Sequence, residues 1–395
     1  MEALKMKKRF QLLALVLGIA VLGCSCNNQK QNEGEPLQTH INSAGENENE
    51  DQTRLDTIRP AAYSDIQDLR LEPGTYISII GKYDDNSYWE EVEAGAQRAI
   101  EDINAMMDYE GDEKVRLVFS APSTLDDMDE QVSILDEELA RYPNVICIAP
   151  VDTSACLTQF ELAEQDGIPI VTLDSGSEYH HVTAHISTDN IEAGTTAAKE
   201  MAALLGDSGK VAVFVHDSLS MTAKEREQGF LDELAKHASM EAAVIYRFDE
   251  LEDMAKLIAE EKNAGLAEDD VNRVLAEDFS QEDVITYILE NNPDLKGIFT
   301  SNLDTTQLLA DVLSDLEYDD LAFIGFDGGK NQIELLTDDV VDGLILQNPY
   351  GMGYATVVAA GRTILDIGNE AFIDSGYAWV TKANMENATV KKFIY

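Results

Sequence analysis

Polar and aromatic side chains follow several apolar stretches that the sequence predicts to be strands. Asn86, Tyr88 and Trp89 come shortly after the run 76–80, and Asp174 follows another run. Carboxylates and amides bind neighbouring hydroxyl groups, an arginine binds two oxygens, and aromatic rings cover the apolar face of a sugar. These residue types predict a binding site for a small polyhydroxylated ligand. The same pattern recurs in the second half of the chain with Arg226, Asn302, Asp327 and Gln347.

The elements that must position these side chains are strands alternating with helices. The run Tyr76–Ile80 predicts a buried strand, and the next helix is predicted to begin at Ser87, which has a capping-box spacing to Glu90. Such alternation predicts right-handed βαβ units and an α/β fold with parallel sheets, whose strand ends meet at one edge. The series restarts after Asn190, which indicates two similar lobes. An additional unit of a helix at 249–263 and a strand at 271–276 interrupts the second series.

The amino-terminal region has the pattern of a lipoprotein signal peptide over residues 1–24. Basic residues precede a short apolar segment that ends in Leu22-Gly23-Cys24, which resembles the bacterial lipobox. Cys24 is the predicted lipidation site, with Cys26 or an ordinary secretory signal as the alternatives. Residues 25–72 are polar with little apolar periodicity, and they predict a disordered tether. We therefore expect an extracytoplasmic protein, lipid-anchored to the outer face of a bacterial membrane.

The charge of the chain excludes several classes of partner. Lys and Arg number 28 against 75 Asp and Glu, a net charge of −47. Nucleic acids and anionic lipid surfaces need a basic footprint, so neither is a predicted partner. Cys147 and Cys156 are predicted to be buried free thiols. No catalytic set, cofactor motif or metal site is predicted, and the sequence leaves open whether His180, His181 and His185 bind anything.

Six motifs in the same order along the chain resemble type I periplasmic binding proteins of the ribose/galactose class, the solute receptors of ABC importers. The resemblance spans roughly residues 75–382. The motifs are Asn86-x-Tyr88-Trp89-x₅-Gly95-Ala96, Ile170-Val171-Thr172-Leu173-Asp174, Thr188-Asp189-Asn190-x₃-Gly194, Arg226-x₂-Gly229-Phe230, Ile324-Gly325-Phe326-Asp327-Gly328 and Gln347-Asn348-Pro349.

This resemblance implies two Rossmann-like lobes joined by a three-crossing hinge, with a ligand cleft between them. The implied crossings lie near Asp189–Asn190, Gln347–Asn348 and Gly376–Ala378. The implied lobes are 73–189 with 348–376, and 190–347 with 377–395. The implied ligand residues are Asn86, Tyr88, Trp89 and Asp174 from the first lobe, and Arg226, Asn302, Asp327 and Gln347 from the second lobe and hinge.

Three positions depart from the ribose receptors that the chain resembles. Lys82 replaces a small polar residue, Ala149 replaces an Asn, and Ser175 replaces an Arg. Ribose is therefore not predicted as the ligand. We hypothesise that a positive charge has moved within the site to Lys82, the alternative being an exposed turn residue. Phe279 is the predicted second-lobe aromatic of the site, with Phe248 as the alternative.

The sequence thus predicts a monomeric solute-binding lipoprotein, without enzymatic activity or a cofactor. It would bind a small neutral sugar or polyol between its lobes and deliver it to the permease subunits of an ABC importer. The alternative function is a sensory module that presents the bound ligand to a membrane kinase or chemoreceptor. Neither the identity of the ligand nor the role of the additional unit 249–276 follows from the sequence.

Overall fold

The computed structural model describes residues 50–125, 127–267, 270–316 and 321–395. The predicted signal peptide and both candidate lipidation sites, Cys24 and Cys26, lie outside these residues. Among the residues described, no helix is long and apolar enough to cross a membrane.

Strands and helices alternate along most of the described chain, as predicted. The strands are β1 (Tyr76–Ile80), β2 (Arg116–Ser120), β3 (Val145–Ile148), β4 (Ile170–Leu173), β5 (Val182–Ser187), β6 (Ser208–Val215), β7 (Ser239–Arg247), β8 (Leu295–Thr300), β9 (Ala322–Phe326), β10 (Gly343–Gln347), β11 (Phe372–Asp374) and β12 (Tyr377–Val380). The helices are α1 (Glu50–Leu55), α2 (Ser87–Met107), α3 (Met128–Leu139), α4 (Leu157–Gln165), α5 (Asn190–Leu205), α6 (Met221–Leu234), α7 (Leu251–Lys262), α8 (Gln281–Asn291), α9 (Leu303–Asp315), α10 (Lys330–Thr337), α11 (Pro349–Ile364) and α12 (Ala388–Lys391).

The strands form two six-stranded sheets of the same topology, one in each lobe. The first sheet has the order β11-β5-β4-β3-β1-β2 and the second has the order β12-β10-β9-β8-β6-β7. Pairing is parallel throughout, except that β12 runs antiparallel to β10. The α/β class with two lobes of mostly parallel sheets is confirmed. Each strand of the first lobe therefore has a counterpart in the second, and β4 corresponds to β9.

The chain passes between the two sheets three times, which confirms the predicted three-crossing hinge. It leaves the first sheet after β5, returns after β10 to place α11 against the first lobe, and leaves again between β11 and β12. Helix α11 lies close against α2. The backbones are so near that a Cβ added at Gly95 would lie 1.9 Å from the Tyr350 carbonyl oxygen. Likewise, a Cβ at Gly353 would lie 1.9 Å from the Val92 carbonyl oxygen. Only glycine at both positions allows this packing, which fixes the start of α2 beside the hinge.

The predicted disordered tether extends too far, because residues 50–71 are part of the folded first lobe. This segment begins with α1, and its apolar side chains are buried in the core of that lobe. The sequence gives little signal because these residues are irregularly spaced and pack against other elements rather than forming a periodic stripe of their own. The buried side chains are Leu55, Ile58, Tyr63, Leu69 and Leu71.

Two local predictions are also wrong. Helix α2 is capped by Asn86, whose side chain accepts a hydrogen bond from the Tyr88 N–H, and not by Ser87. The predicted strand at 271–276 is a loop up to Leu275 and then the start of a 3-10 helix, and Val271 is 95% exposed. Asn263 fastens this loop by exchanging two hydrogen bonds with the Val274 backbone, at 2.8 and 2.9 Å. The apolar residues of 271–276 therefore form neither a strand nor a part of the buried core.

Asn348 joins three segments of chain at the hinge. Its Oδ1 accepts a hydrogen bond from the Gly351 N–H and so caps α11. Its Nδ2 lies 2.8 Å from the Arg54 carbonyl oxygen, 2.9 Å from the Ser375 carbonyl oxygen and 2.9 Å from Thr57 Oγ1. One buried amide thus holds the amino-terminal segment against the second and third crossings.

Replacing Asn348 with alanine is expected to lower the free energy of unfolding by about 2–4 kcal/mol. The change removes a helix cap and leaves buried carbonyl oxygens without their donor. Urea unfolding followed by circular dichroism measures the loss. Asn291→Ala is the matched control, because Asn291 is exposed and its amide contacts only the Tyr287 carbonyl oxygen. Equal stability of the two variants would contradict the role assigned to Asn348.

Candidate functional site

One cavity of about 70 Å³ lies between the two lobes, at the carboxyl ends of their strands. Side chains from both lobes line it, as expected for sheets whose parallel strands end at facing edges. Nine of the ten predicted ligand residues are among them. These nine are Lys82, Asn86, Tyr88, Trp89, Asp174, Arg226, Asn302, Asp327 and Gln347.

The cavity is organised around one aspartate from each lobe in equivalent positions. Asp174 follows β4 and Asp327 follows β9. Their N–H groups donate to Ile186 and Ile345, at 2.8 Å in both cases. Both adopt left-handed backbone conformations, with φ of 54° and 73°. This conformation is uncommon for residues other than glycine, and such strain tends to persist at functional sites. The left-handed conformation of each aspartate ends its strand at the cavity wall.

In the first lobe, Asp174 has two partners at the cavity wall. The Tyr88 hydroxyl donates to Asp174 Oδ1 at 2.9 Å, and Lys82 Nζ lies 3.4 Å from Asp174 Oδ2. Burial, followed by the charge of Asp174, raises the pKa of Tyr88 well above its usual value. The side chains of Lys82 and Asp174 are only 9% and 8% exposed. Lys82 is therefore a buried charge of the cleft and not an exposed turn residue.

In the second lobe, both oxygens of Asp327 accept hydrogen bonds. Gln347 Nε2 donates to Oδ1 at 2.7 Å, and the Leu303 N–H donates to Oδ2 at 2.8 Å. Burial raises the pKa of Asp327, although the charge of Arg226 opposes this shift. Gln347 Oε1 in turn accepts from Thr188 Oγ1 at 2.9 Å. A continuous hydrogen-bond chain therefore connects the first and second crossings of the hinge to the cavity.

Arg226 is held rigidly on the second-lobe wall. Its Nε donates to Asn190 Oδ1 and its Nη1 donates to the Ser301 carbonyl oxygen, both at 2.8 Å. The guanidinium lies 4.1 Å from the ring centroid of Phe326, a cation–π distance. A guanidinium fixed by two hydrogen bonds and a ring can present its remaining donors to a ligand with little loss of entropy.

Two asparagines of the cavity act as helix caps. Asn86 Oδ1 accepts from the Tyr88 N–H at 2.8 Å, and Asn302 Oδ1 accepts from the Thr305 N–H at 2.9 Å. The positive ends of α2 and α9 therefore point toward the cavity. Each cap orients its amide, which carries the donors that a hydroxyl oxygen would need.

His216 is a cavity residue that the sequence reasoning missed. It directly follows β6, so its position after an apolar strand was the available signal. Its Nδ1 lies 2.6 Å from Ser301 Oγ. Burial lowers its pKa to about 4, although the charge of Asp217, whose Oδ2 lies 3.6 Å from His216 Nε2, opposes this shift. His216 therefore stays neutral at pH 7 and offers a polar ring nitrogen. The other missed lining residues are Leu125, Thr222, Leu303 and Asp304.

The prediction that an aromatic at 279 or 248 completes the site is not supported. Phe279 packs against the second-lobe core, with Lys262 Nζ 5.7 Å from its ring centroid. Phe248 packs against the same core beside Tyr246. Neither side chain lines the cavity. The reason is that the loop before α8 turns toward α7 rather than toward the first lobe.

The remaining histidines and cysteines form no second chemical centre in the described part of the chain. Half-buried His185 lies 3.0 Å from Thr172 Oγ1, whereas His181 lies 3.5 Å from Glu164. Cys147 and Cys156 are free and buried. Within the described ranges, no group of three His, Cys, Asp or Glu residues is arranged to hold a metal ion.

The two lobes contact each other at the rim of the cavity. Ser175 Oγ of the first lobe accepts a hydrogen bond from the Met221 N–H at the start of α6, at 3.1 Å. A Cβ added at Gly176 would lie 2.5 Å from Met221 Sδ. Serine at 175 and glycine at 176 therefore permit close approach of the lobes. The described arrangement is a closed one.

A model of the family described as "Periplasmic binding protein domain" matches residues 77–366, more than half of the chain. The ribose import binding protein RbsB of Bacillus subtilis (strain 168) is 26% identical over 234 residues, covering 59% of this chain and 67% of that protein. RbsB of Escherichia coli (strain K12) is 22% identical over 236 residues, covering 60% and 70%.

Two crystal structures share both fold and sequence similarity with the chain. An ABC transporter solute-binding protein from Agrobacterium vitis with bound D-fucose has a TM-score of 0.67 and 25% identity, covering 81% of this chain and all of that one. A carbohydrate transporter solute-binding protein from Agrobacterium radiobacter in complex with D-arabinose has a TM-score of 0.66 and 26% identity, covering 81% and 99%.

Buried His216 predicts that ligand-free stability falls on acidification. Unfolded His216 would titrate near pH 6.5, whereas its folded pKa is about 4. Below pH 6.5 the unfolded state binds the extra proton, so the stabilisation that is complete above pH 6.5 is lost progressively toward pH 4. Between pH 7 and 5 this contribution amounts to about 2 kcal/mol.

Urea unfolding of wild type and His216→Gln at both pH values measures this contribution. The variant should lose less stability than wild type on going to pH 5. His180→Gln is the matched control, because His180 is exposed, and it should keep the wild-type pH dependence. The same loss in His216→Gln as in wild type would show that His216 is not held neutral by burial.

Proposed function

The chain belongs to the family of periplasmic binding proteins, and we propose that it is the solute-binding component of a sugar ABC importer. It would bind a small neutral sugar or polyol in the cavity between its lobes. The observation that carries this proposal is the convergence of Asp174 and Asp327 from opposite lobes on one cavity. The sugars bound by the similar proteins, D-fucose and D-arabinose, support the ligand class.

The charges of the cavity favour a neutral ligand. Lys82 offsets the charge of Asp174, Arg226 offsets that of Asp327, and Asp304 adds one more negative charge to the lining. An anionic ligand would meet two buried carboxylates at close range, which is unfavourable in a region of low dielectric. Hydroxyl groups, in contrast, donate to carboxylates and accept from Arg226 and the asparagine amides. Trp89 provides an apolar surface for the carbon face of a sugar ring.

Ligand entry requires the lobes to separate. The cavity volume of about 70 Å³ is far below the roughly 300–1,000 Å³ that is usual for ligand pockets. Rotation about the three crossings would open the Ser175–Met221 contact and widen the cavity. A sugar would then favour closure because it contacts both walls only in the closed state. We propose lobe boundaries at 73–189 with 348–376, to which the folded segment 50–71 is added, and at 190–347 with 377–395.

The closed form would be the form that the permease subunits of the importer recognise. We propose that the protein acts as a monomer outside the cytoplasmic membrane. Residues 1–24 would direct export, and lipidation of Cys24 would anchor the chain to the membrane. Residues 25–49 would then connect the anchor to the part of the chain that the structure describes.

Titration calorimetry against D-arabinose, D-fucose, D-ribose and D-galactose tests the proposed function. At least one of these sugars should bind with a one-to-one stoichiometry and raise the melting temperature of the protein, since ligand binding to the folded state stabilises it. Asp327→Asn should weaken this binding, because it removes the buried carboxylate of the second lobe. The absence of both heat and a melting shift across the panel would contradict a sugar receptor.

Lys82→Ser tests whether Lys82 contributes a ligand contact. We expect the dissociation constant of the bound sugar to rise about tenfold to a hundredfold, because charge-assisted hydrogen bonds contribute about 1.5–3 kcal/mol. Lys114→Ser is the matched control, because Lys114 is exposed on the same lobe. Unchanged affinity in Lys82→Ser would show that Lys82 only neutralises Asp174.

A further inference from the structure

The chain after α12 returns from the second lobe to the residues behind the cavity wall. Phe393 is buried in the core of that lobe and anchors the segment 393–395. The Tyr395 N–H then donates to the Gly328 carbonyl oxygen at 3.1 Å. Tyr395 is thereby fixed beside Asp327, the central carboxylate of the second-lobe wall.

The ring of Tyr395 reaches the first lobe. It meets the ring of Tyr88 edge to face, with a centroid distance of 6.1 Å and an interplanar angle of 67°. The ring also packs against the apolar core of the first lobe. Tyr395 therefore lies directly behind the cavity wall, against two residues that line the cavity: its ring contacts Tyr88, and its hydroxyl is close to Asp327.

The hydroxyl of Tyr395 is buried, and no described residue lies within hydrogen-bond geometry of it. Asp327 is close enough to act on its pKa but forms no hydrogen bond of good geometry with it. Burial, followed by the charge of Asp327, raises its pKa well above the usual value, so it remains a protonated donor. Each oxygen of Asp327 is already directed at a donor of its own lobe, one at Gln347 and the other at the Leu303 N–H. A buried hydroxyl without a partner carries a free-energy cost and needs an explanation.

We propose that Tyr395 is a specificity-determining residue of the site, whose hydroxyl hydrogen-bonds to a hydroxyl group of the bound sugar. The proposal rests on the proposed sugar-binding function. The sugar supplies the partner that the chain does not, at the junction of the Tyr88 and Asp327 walls. Tyr395 accordingly recognises one particular hydroxyl of the ligand. A sugar without that hydroxyl leaves the Tyr395 hydroxyl unpaired, as it is in the free protein.

Tyr395→Phe tests this assignment because it keeps the ring and removes only the hydroxyl. The variant is expected to bind the sugar of the wild-type panel about threefold to tenfold more weakly, the range for one neutral hydrogen bond. Without sugar it should melt at a higher temperature than wild type, because a buried unpaired hydroxyl has been removed. If Tyr395 only supported the fold, removing its hydroxyl would not weaken sugar binding while raising the melting temperature of the ligand-free protein.

A set of monodeoxy sugars locates the partner of the hydroxyl. Wild type should bind one monodeoxy analogue more weakly than its best sugar, by the same factor by which Tyr395→Phe weakens binding of that best sugar. The variant should bind the best sugar and this analogue equally well. Tyr142→Phe is the matched control, because the Tyr142 side chain is 71% exposed, and it should change neither affinity nor melting temperature.

Wild-type affinity in Tyr395→Phe would overturn the assignment, and so would a lower melting temperature without sugar, since the hydroxyl would then have its partner within the protein. If wild type binds none of the sugars, the proposed function fails separately. The melting temperatures of Tyr395→Phe and wild type without sugar then test Tyr395 independently of the sugar. A higher melting temperature of the variant would show that the wild-type hydroxyl is unpaired within the protein. A lower one would show that it has a partner there and would contradict the proposal.

Discussion

The burial of one carboxylate in each lobe is the constraint on which the structure of the site depends. Asp174 and Asp327 are 6% and 4% exposed, and a buried carboxylate without partners would be severely destabilising. Their partners come from separate elements: a tyrosine and a lysine around Asp174, and a glutamine and a backbone N–H around Asp327. The equivalent positions of the two aspartates follow from the repeated sheet topology. The ends of β4 and β9 therefore place both carboxylates at the same cavity.

The same hydrogen-bond network links the ligand site to the hinge. Thr188 at the first crossing binds Gln347 at the second, and Gln347 binds Asp327. One residue further along, Asn348 holds the second and third crossings together with the amino-terminal segment. A ligand that contacts Asp327 therefore acts on groups that also set the relative position of the lobes. This arrangement gives a physical route from binding to closure.

Much of the fold followed from local sequence patterns. The strands β1, β3, β4 and β10 lie at the predicted positions because buried parallel strands are short apolar runs with clear polar boundaries. The position of polar residues after these runs predicted most of the cavity wall, since the topology brings strand ends together. The family resemblance added the order of the crossings, which periodicity alone does not supply.

The residues that the sequence did not reveal depend on tertiary contacts. The segment 50–71 folds only because its scattered apolar side chains dock on the first lobe. Tyr395 reaches the site from far along the chain, and Phe279 turns away from it through a loop without a periodic pattern. His216 had a local signal in its position after β6, but an isolated histidine after a strand has many structural explanations.

A crystal structure of the protein with the tightest-binding sugar shows whether the two aspartates bind the ligand together. We expect one sugar between the lobes, with hydroxyl groups within hydrogen-bond distance of both Asp174 and Asp327. A sugar that contacts only one of the two aspartates, or that binds outside this cavity, would contradict this expectation.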